Sequence, residues 1–113
     1  MKNRSVILFL LSLTSLVTLT FAQGKTLNIA VIIKATDSDF WQYMVVGSQN
    51  YAKEHPDVKI TVDGPASEAD VDKQVAILEN IVSRKPDGIL IAPTSSDASV
   101  PAIRMRCKRE SRW

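Results

Sequence analysis

Leu27–Trp41, LNIAVIIKATDSDFW, is the stretch from which the fold of this chain is read. Leu27 and Ile29–Ile33 form a near-continuous apolar run rich in β-branched residues. Such a run suits a strand buried on both faces, as in a parallel sheet covered by helices. It stops at Lys34, and a small polar turn follows, Ala35-Thr36-Asp37-Ser38-Asp39, before Phe40 and Trp41 open a helical pattern. In an open α/β sheet the position just past the carboxyl end of a strand is where ligands bind.

The turn offers carboxylates and a hydroxyl beside aromatic rings. A phosphate site wants glycines and an open helix N-terminus, whereas Asp37 and Asp39 would repel a phosphate. A neutral polyhydroxylated ligand suits them better, its hydroxyls donating to carboxylates and its C–H faces lying on the rings. A second reading stands beside this one: Asp39 caps the helix, and Phe40 and Trp41 belong to the core.

Working outward, Met1–Ala22 reads as a secretory signal peptide. Lys2 and Arg4 precede an uncharged run from Val6 to Phe21, and Thr20-Phe21-Ala22 places small residues where a signal peptidase reads, with cleavage before Gln23. The run is short for a membrane-spanning helix and is diluted by serines and threonines. No cysteine stands at the cleavage point, so the expectation is an unlipidated protein exported to a periplasm or secreted. On the other side, a helix is predicted from about Phe40 to His55. Asp39 and Gln42 form a capping-box pattern, and Tyr43, Met44, Gly47 and Tyr51 share one face, with Gly47 letting it approach the sheet. Pro56 ends that helix. Val58–Asp63 is a second strand, and a helix starting near Ser67–Asp70 carries Val71, Val75, Leu78 and Val82 in one stripe. Asp87-Gly88 then turns into a short buried strand over Ile89–Ala92. Pro93–Asp97 is again a small polar turn, with a helix starting near Asp97 or Ser99. Three strand–helix units in βαβαβα order predict an α/β fold with right-handed crossovers and a parallel sheet.

The formal charge of +2 averages two unlike parts. Residues 23–103 carry seven Lys/Arg against eleven Asp/Glu, and the last ten residues carry five Lys/Arg and one Glu. The pI therefore carries no argument for nucleic acid. From Arg104 to Trp113 no apolar period continues the third helix. The residues 104–113 read either as a basic tail for nucleic acid or a membrane surface, or as the product of a frameshift or early stop. An exported acidic domain favours the second. The expected division is 1–22 signal peptide, 23–103 partial lobe, 104–113 tail.

Several chemistries lack their residues. Cys107 and His55 are each single in the chain, so there is no internal disulfide and no metal-ligand spacing. His55, at the predicted end of the first helix, reads as an exposed helix-terminal residue. No G-x-G-x-x-G follows Lys34, which removes the dinucleotide-binding fingerprint. A phosphorelay receiver would want an acidic residue after the third strand, where Ile91-Ala92-Pro93 stands. No Ser-His-Asp or Cys-His set can be assembled, since His55 lies toward the other end of the sheet from the turns. The expectation is a protein without catalysis and without a cofactor.

Residues 26–103 resemble a known family. TDSDFW after the first strand, VVGSQNYAKEHPDVKI, and above all SEADVDKQVAILENIVSRKPDGILIAPTSSDASVPAI look like the start of a periplasmic solute-binding protein of the type I, ribose-binding-like class that serves ABC sugar importers. The resemblance implies the Rossmann-like N-terminal lobe of such a protein, binding a monosaccharide or polyol and delivering it to a membrane permease. Carried over by position, it implies Phe40 and Trp41 as rings stacking on the sugar and Ser38 as a hydrogen-bonding residue. Asp37 and Asp39 are further contacts, and Thr94, Ser95 and Asp97 line the cleft. Relatives continue with a further sugar-gripping strand and a second lobe. A chain offering only one open wall is expected to have little affinity. A transcriptional repressor, which shares the sensor fold, would need a helix-turn-helix where the signal peptide stands. The competing function is an interaction module or sugar-sensing domain presenting its surface to a membrane receptor.

Overall fold

The computed structural model describes residues 24–110; the leader expected over 1–22 lies outside them. Six elements alternate: β1 (Leu27–Ile32), α1 (Asp39–Glu54), β2 (Val58–Asp63), α2 (Val71–Ser83), β3 (Gly88–Ile91) and α3 (Ser96–Glu110). The three strands form one parallel sheet in the order β2-β1-β3. This is the α/β architecture the alternating pattern predicts, with the Leu27 strand at its centre.

Register divides the sheet into two unlike faces. Ala30 pairs with Thr61 and Ile89, and Ile32 with Asp63 and Ile91, so these residues share a face because in-register neighbours point the same way. On that face Ala30 and Ile32 pack with Leu78, Ile81 and Val82 of α2 and Ala102 of α3, with Ile89 and Ile91 alongside. The opposite face carries Val31, Ile33, Ile60 and Val62, and α1 packs there over β2. Ala30, Val31, Ile32 and Ile33 are all buried, so β1 is enclosed on both faces from Ala30 onward.

The first helix differs from its predicted orientation. Its less exposed residues are Trp41, Val45, Ser48, Ala52 and, just past its end, His55, while Tyr43, Met44, Gly47 and Tyr51 are exposed. A Cβ at Gly47 would meet nothing within 4 Å, so this glycine serves no close approach to the sheet. The stripe 41/45/48/52 is as helical in spacing as 43/44/47/51 but poorer in large apolar residues, and the burial of Trp41 and Val45 decides between them. His55 is half-buried, not exposed, and stacks on Tyr51 with ring centroids 4.1 Å apart.

Three boundaries also move. Residues 67–70 form a turn instead of the first turn of a helix, closed by the Asp70 N–H donating to the Ser67 carbonyl at 3.1 Å. At the other end of α2, Lys85 takes a left-handed φ of 55°, alone among the described non-glycine residues, and Pro86 prevents the helix from resuming. Helix α3 starts at Ser96 and its backbone continues through Arg104–Glu110, where the apolar pattern has stopped. Pro101 thus falls inside the helix, beyond its first turn, and removes the N–H that would bond the Asp97 carbonyl.

Asp87 fastens the end of the sheet remote from the polar turns. Its Oδ2 accepts the Asn28 N–H at 2.9 Å, its N–H donates to the Asn28 carbonyl at 2.8 Å, and Lys25 pairs with its Oδ1. The Asn28 backbone N–H first, then Lys25, hold its carboxyl below the usual carboxylate range. From α3, Arg106 Nη2 donates to the Asp87 carbonyl at 3.4 Å.

Candidate functional site

The strand order defines where a site forms. From β1 the chain winds to β2 on one side, then crosses to β3 on the other, so α1 and α2 cover opposite faces. The turns after β1 and β3 therefore part company above the sheet, and the crevice between them is the topological switch point where open α/β sheets bind ligands. Asp37–Trp41 follows β1 and Thr94–Asp97 follows β3, so the topology sets one turn to each side of that switch point.

The first turn is held by backbone. The Thr36 N–H donates to the Pro65 carbonyl at 2.9 Å and the Asp37 N–H to the Ala66 carbonyl at 3.2 Å, tying it to the turn after β2. Gln42 Nε2 reaches back to the Thr36 carbonyl at 2.8 Å. That bond replaces the predicted capping box: the N-cap is Ser38, whose side chain makes no cap bond, and Asp39 is the first helical residue. The helix-cap role read for Asp39 is thus corrected. Gln42 bonds the turn itself because the chain folds back there before the helix begins.

With the turn secured by main chain, its side chains are left available. Asp37 and Asp39 are exposed and Ser38 is half-buried. None of their side chains has a hydrogen-bond partner among the described residues. Phe40 is 64 % exposed, which removes it from the core reading. Trp41 is half-buried, and its Nε1 donates to Glu68 Oε1 at 3.0 Å. The two rings meet edge to face, 5.0 Å between centroids and 84° between planes. The arrangement presents one open aromatic face beside a carboxylate and a hydroxyl, braced by a second ring whose N–H is already engaged.

The second turn is organised by Gln74, a residue the sequence reading passed over. It is 1 % exposed. Its Nε2 donates to the carbonyls of Ile33 at 3.0 Å and Ala92 at 2.9 Å, and its Oε1 accepts the Thr94 N–H at 2.7 Å and the Thr94 hydroxyl at 3.0 Å. Both amide hydrogens and both acceptor positions are filled, so the buried amide carries no desolvation penalty left unmatched. One side chain thereby sets the ends of β1 and β3, and with them the two walls of the crevice. Thr94 is engaged in this network. Ser95 is engaged too: its Oγ accepts the Ala98 N–H at 3.3 Å, capping α3. Asp97 is exposed in the first turn of α3. Gln74 left a trace in the sequence, a polar residue between Val71 and Leu78 on the apolar stripe. Glu68 left none, because its partnership with Trp41 exists only once the two turns are side by side.

Chemically the crevice suits an uncharged ligand with hydroxyls to donate and C–H faces to stack. Among the described residues no group of three or more His, Cys, Asp or Glu is placed to hold a metal ion, and no helix is long and apolar enough to cross a membrane.

Comparison with known proteins bears on the fold and the family. A D-ribose/D-allose-binding protein from Pseudomonas aeruginosa is 32 % identical over 78 residues, which is 68 % of this chain and 24 % of that relative. An ABC transporter solute-binding protein from Agrobacterium vitis, solved with bound D-fucose, is 40 % identical and superposes with a TM-score of 0.69. The match covers 74 % of this chain and 29 % of that one. A carbohydrate transporter solute-binding protein from Agrobacterium radiobacter, in complex with D-arabinose, is 32 % identical with a TM-score of 0.63, over 74 % and 29 % of the two chains. The chain thus spans about a quarter of the length of the curated relative and under a third of the solved ones. The profile of the periplasmic binding protein domain matches residues 29–110. With the parallel β2-β1-β3 sheet and its switch-point crevice, that match places the chain in the periplasmic binding protein domain family.

Proposed function

We propose that this chain provides the sugar-binding wall of an ABC-importer substrate-binding component, acting in the envelope and without catalysis. The observation that carries the reading is the switch-point turn itself. The exposed Phe40 ring follows in the same turn on Asp37 and Ser38, whose carboxylate and hydroxyl have hydrogen-bonding capacity unused within the described residues. A monosaccharide or polyol matches both halves of that surface. Phe40 is the stacking ring; Trp41, fixed by Glu68, backs it and contributes its remaining face. Asp37, Ser38 and Asp39 accept or donate to hydroxyls, while Thr94, Ser95 and Asp97 shape the opposite wall. The names of the relatives support the ligand class, since they bind D-fucose, D-arabinose and D-ribose or D-allose. Delivery to a membrane permease follows from the same reading, as does export by the leader over 1–22.

A ligand held only by the turns after β1 and β3 stays largely open to solvent, so the affinity of these residues is expected to be weak, in the millimolar range of an incompletely buried ligand. Titration of the chain with D-ribose, D-allose and D-fucose, followed by amide NMR shifts and the Trp41 indole resonance, tests the reading. Shifts confined to Asp37–Trp41 and Thr94–Asp97, lost in Phe40→Ala, are the expected outcome. Shifts scattered elsewhere, or none up to solubility, would overturn it.

A further inference from the structure

A second concavity lies away from the crevice, toward the opposite end of the sheet. It encloses about 240 Å³ between the core face of β1 and β2 and the C-terminal end of α2. Its sheet side is built by register: Asn28 pairs with Lys59 and Ala30 with Thr61, so all four point into the same space. Its other wall is Ile81 and Arg84 of α2 with Lys85 and Pro86 of the following loop.

The charge of that lining is unlike the rest of the domain. Three cations, Lys59, Arg84 and Lys85, border it, and among the described residues no acidic residue lines it; the nearby Asp87 carboxylate, on the Asn28 N–H, is already paired with Lys25. None of the three has an ion-pair partner among the described residues, although residues 23–103 are acidic overall. A helix C-terminus attracts basic side chains, which accounts for Arg84 and Lys85 individually. Its partial charge is only about half of one elementary unit, so three cations outweigh it and leave the lining net positive. Lys59 comes from a strand and owes nothing to that helix. The floor is apolar, with Ala30, Ile81 and Pro86, and Asn28 and Thr61 add neutral hydrogen-bonding groups at its edge.

We infer that this concavity is a binding site for a small organic anion, a carboxylate or phosphate ester with a compact body. The guanidinium of Arg84 suits two oxygens of one such group, Lys59 and Lys85 supply point charges, and the apolar floor takes the carbon body. The volume limits the ligand to a small molecule. The site is separate from the crevice above the sheet, so its test does not depend on the sugar-binding reading.

Citrate is the probe, titrated into the full chain at low salt and followed calorimetrically and by amide NMR shifts, with D-ribose as an uncharged control. Citrate is expected to shift Asn28, Lys59–Thr61 and Arg84–Lys85 while leaving Phe40 and Trp41 in place. Its affinity should fall with added NaCl and by about tenfold in Lys59→Ala and in Arg84→Ala, the loss of one charge-assisted contact each. Lys85→Gly separates binding from folding. Glycine relieves the left-handed backbone at φ 55°, so this protein should melt at a higher temperature and yet bind citrate more weakly. Citrate shifts elsewhere, no binding at millimolar citrate, or affinity within about twofold of the parent in both alanine variants would overturn the site.

Discussion

At the scale of single residues, Gln74 and Asp87 do the most. Gln74→Leu keeps similar bulk but withdraws all four hydrogen bonds, leaving the Thr94 N–H and the Ile33 and Ala92 carbonyls without the partner they have now. The expected loss is about 3 kcal/mol, from buried polar groups left unmatched. It would be read as a lower urea midpoint with an unchanged m-value. A loss under about 1 kcal/mol would mean that water takes over the amide's place. Asp87 carries a pH dependence whose sign follows from its lowered pKa. The folded state holds the carboxylate more firmly than the unfolded chain does. Its contribution is therefore complete above the ordinary aspartate pKa of about 3.9 and is lost as pH falls through the lower folded value. Urea melts between neutral pH and pH 2 should show this acid loss, and Asp87→Asn should flatten that part of the profile. Neither residue declared its role in the sequence. Gln74 was legible only as a polar letter in an apolar stripe, and Asp87 as half of a turn, because their partners lie 41 and 59 residues away along the chain.

At the scale of elements, two glycines separate local from tertiary control. Gly47 sits on the outward side of α1 with nothing within 4 Å of a Cβ placed there. Gly47→Ala should therefore stabilise the protein by about 0.5–1 kcal/mol through helix propensity alone, measured by urea denaturation. Destabilisation instead would show that this flank of α1 is packed. Gly64 is the opposite case: a Cβ there would lie 2.6 Å from Ile33 Cγ1 and 3.0 Å from the Ile33 carbonyl oxygen. Gly64→Ala should cost stability of about 1–3 kcal/mol, the usual penalty of overpacking, measured the same way. From the letters alone Gly47 looked like the glycine that permits close packing. Strands β1 and β2 were legible because β-branched runs bounded by turn residues have few alternatives. The buried face of α1 was not, because its two candidate stripes are equally periodic and only the position of the sheet chooses between them.

Taken whole, the molecule leaves apolar surface uncovered. Phe40, Tyr43, Met44 and Tyr51 are exposed along one flank of α1, Leu90 is 59 % exposed on β3, and both outer strands, β2 and β3, have an unpaired edge among the described residues. Surfaces and edges of this kind favour association. Sedimentation should therefore show concentration-dependent self-association, reduced in the double variant Tyr43→Lys with Met44→Lys; an unaltered monomer at all concentrations would count against it. The alternation of strand and helix, the parallel sense of the sheet, and a polar turn with aromatics beyond its first strand were all determined by the sequence alone. They rest on near-neighbour patterning, the side-chain period and the turn chemistry of a few adjacent residues. The strand order β2-β1-β3, the opening of a crevice between the first and third turns, the tie through Gln74 and the gathering of Lys59, Arg84 and Lys85 around one concavity were decided only by the tertiary structure. Each depends on which distant segments become neighbours, and that is settled by burying β1 on both faces at once, a condition no single stretch of the chain can meet by itself.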